Sequence, residues 1–103
     1  MIYEVNLTID QEIAEEFKQW LKDHVAKMLE FKGFEKAEIF SRDPAYRTSP
    51  DIGKVFLTVQ YTVRDRQSLD NYFQDHAPRM RTEGQERFPG QFSATRRILE
   101  VVK

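Results

Sequence analysis

The sequence predicts an α+β fold of the ferredoxin-like kind. This is a βαββαβ chain whose four-stranded antiparallel sheet carries two helices on one face and dimerises through the other. Three observations predict it. Stretches near the start and the middle alternate apolar and polar residues at strand period. Two other stretches carry apolar residues at helical period. The resulting order, strand, helix, strand, strand, helix, strand, closes into one antiparallel sheet when its crossovers are right-handed.

Residues 2–9 place Tyr3, Val5, Leu7 and Ile9 on one face and Glu4, Asn6 and Thr8 on the other, which is a strand. Asp10 is the expected N-cap of a first helix over about 11–31, with Glu12, Glu15 and Glu16 where the helix dipole favours negative charge. Its stripe Ile13, Phe17, Trp20, Leu21, His24, Met28 turns His24 inward. Phe34–Arg42 reads as a second strand with Ala37 and Ile39 facing the core. Asp43–Gly53, containing Pro44, Pro50 and Gly53, reads as a loop.

From Lys54 a third strand sets Val55, Leu57, Val59, Tyr61 and Val63 against Phe56, Thr58, Gln60 and Thr62. Asp65 caps a second helix with the inner stripe Leu69, Tyr72, Phe73, His76, Ala77 and Met80. Proline lacks an N–H and clashes with the preceding turn, so a break is expected near residue 77, with Pro78 restarting the helix in its first turn. Pro89 and Gly90 end that helix, and 91–102 forms the last strand.

In this arrangement the third strand lies between the first and second, antiparallel to both. The C-terminal half of the first helix then meets the N-terminal half of the second over the start of strand one and the end of strand three. Tyr3, Trp20, His24, Tyr61, Tyr72 and His76 are expected to converge there, a set that suits either an aromatic-walled ligand pocket or a satisfied core. Arg79, with Arg81 and Arg87, is a candidate clamp for an anion; against that, Glu83 stands four residues from both Arg79 and Arg87, as in ordinary surface pairs. Arg96 and Arg97 are strand neighbours and face opposite ways. The open sheet face, with Ile2 and Phe56 among Asn6, Thr8, Thr58, Gln60 and Thr62, is apolar enough to predict an isologous dimer of two stacked sheets.

The composition sets limits. The chain has 103 residues, expected as one domain over 1–103, and 27 of them are Leu, Ile, Val or Phe, which excludes disorder. Its net charge is −1, divided as −4 over residues 1–51 and +3 over 52–103, a dipole too mild for nucleic-acid binding. With no cysteine there are no disulfides or thiolate sites, and the opening MIYEVN has neither a basic nor a long apolar leader region, so the expected compartment is the cytoplasm, away from membranes. GxGxxG, Walker, HExxH and GxSxG motifs are absent and the two histidines are 52 residues apart, so no cofactor and no metal are expected.

The opening IYEVNLTID, the helix segment WLKDH at 20–24, QYTV at 60–63, APRMR at 77–81 and the terminal FSATRRILEV resemble a small bacterial family of unknown function in the dimeric α/β-barrel superfamily. The resemblance covers nearly the whole chain and implies a ferredoxin-like protomer dimerised through its sheet. It implies no reaction. Distant members of the superfamily include cofactor-free monooxygenases and small isomerases that use the cleft between helices and sheet. Two departures stand out: Val25 and Ala26 follow His24 where the family commonly has Ile-Pro, and His76 stands where an acidic residue is common. The expected function is therefore the binding of a small aromatic or carboxylate ligand in that cleft. A cofactor-free oxygenase or isomerase with His24 as base and Tyr61 orienting the substrate, and a structural module without a ligand, are the alternatives.

Overall fold

Strand alternation builds the sheet where the sequence places it. A computed structural model describes residues 1–42 and 53–103. It contains β1 (Ile2–Asp10), a short 3-10 turn (Gln11–Ile13), α1 (Ala14–Met28), β2 (Phe34–Ser41), β3 (Lys54–Val63), α2 (Arg66–Asp75), α3 (Ala77–Arg87) and β4 (Phe92–Leu99). The sheet order is β2-β3-β1-β4, and each neighbouring pair is antiparallel. This is the expected α+β, ferredoxin-like architecture. The expected loop lies, apart from Gly53, outside the described residues.

Register decides which side chains share a face. Tyr3 pairs with Tyr61 and Ile98, Val5 with Val59 and Arg96, and Leu7 with Leu57 and Ala94. Directly opposed residues point the same way, so these line the face under the helices. Phe17, Leu21 and Met28 of α1, Leu69 and Tyr72 of α2, and Met80 of α3 are buried against it. One β2 residue departs from expectation. Ile39 pairs with Val59 on this face yet is 40% exposed, because β2 is an edge strand beyond the cover of α1.

The helix ends show local signals meeting tertiary competition. Asp65 accepts a hydrogen bond from the Ser68 N–H at 2.8 Å and caps α2 as expected. Asp10 caps nothing with its side chain; its carboxylate is taken by Lys54, and α1 starts at Ala14, after the 3-10 turn. At the far end, Glu30 and Phe31 donate to the carbonyls of Lys27 and Met28 at 3.1 Å each, tightening the chain toward Gly33, which has φ +87°. The helix is thus shorter than the expected 11–31. The break at His76 (φ −129°, ψ −31°) and the placement of Pro78 in the first turn of α3 agree with the sequence.

The open face of the sheet holds a buried charge. Glu4 is 2% exposed; its carboxylate accepts from Asn6 and Gln60 at 2.9 Å each and from Arg97, while Thr58 donates to Asn6 at 2.7 Å. The Arg97 guanidinium is the largest cause of a Glu4 pKa lowered to about 2. Sequence alternation places Glu4 on this face but gives no hint of a network drawn from three strands. Among the described residues no helix is long and apolar enough to cross a membrane.

Candidate functional site

A cleft opens between the helix layer and the sheet, over β1, β3 and β4. Tyr3, Trp20, His24, Tyr61 and Tyr72 all line it, so five of the residues expected to converge do so. Tyr3 stacks on Tyr61 with centroids 5.9 Å apart and lies 6.0 Å from Tyr72. The Trp20 indole stacks on the His24 imidazole at 4.7 Å, with the planes 22° apart. Gly84 of α3 belongs to this wall. A Cβ there would meet Trp20 Cη2 at 3.0 Å and Phe92 Cζ at 3.1 Å, so the bare helix surface is what admits the indole.

Two expected residues stand elsewhere. His76, at the α2–α3 break, stacks on Phe31 at 4.3 Å, and Arg79 lies beside it with Nη2 3.5 Å from His76 Nδ1. Neither lines the cleft. The pairing expected within α3 is also replaced: Glu83 reaches Lys27 at 3.5 Å, and Arg87 reaches Glu16 at 3.4 Å. The arginines that do line the cleft are Arg81 of α3 and Arg96 of β4. The stripe Ala77, Met80, Gly84 sets Arg81 at its edge and Arg79 off it, and the alternation Phe92, Ala94, Arg96, Ile98 sets Arg96 inward; both signals are present in the sequence.

The imidazole of His24 and the phenols of Tyr61 and Tyr72 are neutral inside the cleft. His24 Nδ1 is buried and has no hydrogen-bond partner among the described residues. Desolvation by burial is the main cause of a His24 pKa lowered to about 4; Glu83 opposes it, while Lys27 and Arg96 reinforce it. Burial likewise raises the Tyr61 and Tyr72 phenols well above their ordinary range, so both remain O–H donors. At neutral pH the cleft offers hydroxyl donors, an imidazole and two cations, set among rings. No cluster of three His, Asp or Glu positioned to hold a metal occurs among the described residues.

The His24 shift has a measurable consequence. The unfolded chain binds a proton at this ring below about pH 6.5, whereas the folded chain does so only near 4. Between those values the unfolded state carries the extra proton, so stability present above pH 6.5 is lost as pH falls toward 4. For this mostly buried ring the loss is about 2–3 kcal/mol. Urea midpoints measured from pH 7 to 4.5 should fall accordingly in the parent and stay nearly level across that window in His24→Phe. Glu4 adds a further loss below about pH 4.5, moderated because its partner Arg97 is 66% exposed.

The family described as Domain of unknown function (DUF4286) matches residues 1–102. No curated protein matches the chain. Among solved structures, the designed protein Foldit4 superposes with TM-score 0.60 at 12% identity, covering 96% of this chain and 97% of its own. An ethyl tert-butyl ether d (ethd) family protein from Bacillus halodurans also gives 0.60 at 12%, covering 97% and 100%. The designed ferredoxin-fold protein LFR1 1 gives 0.50 at 22%, covering 100% of this chain and 88% of its own. At these identities the likenesses show the fold alone.

Proposed function

For a chain that belongs to the DUF4286 family of unknown function, we propose a cytoplasmic, single-domain homodimer that binds a small organic molecule, aromatic or carboxylate, in the cleft between helices and sheet. The observation that carries this reading is the buried His24 Nδ1, without a hydrogen-bond partner among the described residues, in a cleft walled by Trp20 and three tyrosines. A buried nitrogen without a partner costs about 1–3 kcal/mol, and a ligand donor removes that cost on binding. The ligand contacts are assigned to Tyr3, Trp20, His24, Tyr61 and Tyr72. The oxygenase or isomerase alternative needs a base effective near neutral pH, and a ring whose pKa is about 4 suits an acceptor better than a base.

Native mass spectrometry of the protein purified from its own cell extract tests the reading, because one spectrum reports subunit number and any retained molecule. A dimer carrying a small added mass supports it; a bare monomer opposes it. Tyr61→Phe separates a pocket from a core. No described residue bonds the Tyr61 hydroxyl, so the substitution should change stability by less than about 1 kcal/mol in urea unfolding. It should still weaken any retained ligand several-fold.

The dimer is assigned to the open sheet face. Phe40 there is 42% exposed beside Thr58, and Phe56 lies under the Arg42 guanidinium at 4.8 Å. Covering these rings with a second copy removes apolar surface from water. Phe40→Glu should yield a monomer by light scattering.

A further inference from the structure

We infer that the ligand is a small carboxylate built on a single ring or short chain, with its anionic group held at the cleft mouth between Arg81 and Arg96. This inference rests on the reading of the cleft as a ligand site. Arg81 and Arg96 line the inner cleft and also an outer chamber completed by Gln85, Phe92, Ser93 and Ala94. The outer chamber is therefore the mouth of the inner one.

The charge pattern singles out these two arginines. Arg64, Arg66, Arg87 and Arg97 each pair with a carboxylate, Arg42 donates to the Leu7 carbonyl, and Arg79 meets His76. Arg81 and Arg96 have no such partner among the described residues, and they come from different elements, α3 and β4, to flank one opening. Guanidinium groups converging at the mouth of an apolar cleft favour an anionic end on an otherwise apolar ligand. Their field reaches inward: Arg96 acts on His24, Tyr61 and Tyr72, and Arg81 acts on Tyr72.

Size narrows the class. The inner cleft holds about 60 Å³ and the mouth about 120 Å³. Together they remain below the roughly 300 Å³ at which pockets for larger ligands begin, which excludes polycyclic and dinucleotide ligands. Because the inner space alone is smaller than a ring needs, the ring lies across the inner cleft and the mouth beside Phe92, which lines both, with the carboxylate outward between the arginines.

The test is calorimetric titration of the full chain with benzoate, phenylacetate and 4-hydroxyphenylacetate, each beside its neutral amide, with inorganic phosphate as a separate arm. At least one acid should bind about tenfold or more tightly than its amide, as expected of a charge-assisted contact. Arg81→Gln and Arg96→Gln should each remove most of that preference, weakening the acid far more than the amide, with the urea midpoint unchanged, since both side chains are exposed and have no carboxylate partner among the described residues. Acid and amide binding equally would overturn the anion assignment and leave the cleft reading standing. Phosphate binding as tightly as the acids would overturn the ring. If neither acids nor amides bind or perturb Trp20 fluorescence, both readings fall.

Discussion

Gly33→Ala is expected to destabilise the protein by about 3–5 kcal/mol. Gly33 closes the turn after α1 with φ +87°, a conformation that costs an L side chain about 1–2 kcal/mol. A Cβ there would also lie 2.2 Å from Ser68 Oγ and 2.3 Å from Ser68 Cβ. Ser68 cannot retreat cheaply. It is buried, its N–H is bonded to the Asp65 cap, and the Gly33 carbonyl accepts from the Arg64 N–H at 2.8 Å, so relief requires moving the start of α2. Gly90→Ala is the control: φ is +69° but a Cβ would meet nothing within 4 Å, so only the backbone cost of about 1–2 kcal/mol applies. Urea unfolding of the two variants should differ by about 2 kcal/mol or more; equal losses would remove the Ser68 contact from the account.

Phe17→Ala should cost about 3–5 kcal/mol, with a fall in Tm of roughly 10–30 °C for a domain of this size. Phe17 has no exposed surface and joins the rings at the β4 side of the cleft, with centroids 5.4 Å from Trp20, 5.2 Å from Phe88 and 5.0 Å from Phe92. Because it also lines the cleft, its loss enlarges the inner chamber by most of a ring. Addition of benzene should therefore recover part of the lost Tm in this variant and raise Tm by more there than in the parent, as a dry apolar cavity binds apolar molecules. A Tm loss below a few degrees in the scanning calorimeter would place the core elsewhere.

What the sequence made legible was local. The alternation of Tyr3 to Ile9 and of Val55 to Val63, the Asp65 cap and the break ahead of Pro78 each depend on residues within a few positions, and all appear in the structure. Where distant groups compete, local reading fails. Asp10 was a good cap by type, but Lys54, remote in sequence, takes its carboxylate. Ile39 alternates correctly, yet nothing in its own strand says that the strand is an edge.

The candidate site divides along the same line. Trp20 and His24 follow from helical period, and Tyr3 and Tyr61 from strand period, so their meeting in one cleft was readable once the topology was assumed. The arginines were harder to place, because the stripe running from α2 through Ala77 and Met80 leaves Arg79 and Arg81 about equally far to either side of its centre, and only the packing of α3 turns Arg81 to the cleft. Glu83 seemed paired along its own helix, but its partner is Lys27 across the helix layer, which only packing decides.

The most direct test of the cleft as a ligand site is a fragment titration followed by two-dimensional NMR at the Trp20 indole N–H and the His24 ring. Single-ring carboxylates are expected to shift these signals together, saturably, while signals from the His76 and Phe31 stack stay in place. If no fragment moves Trp20 or His24 at millimolar concentration, the cleft is core and the binding reading is contradicted.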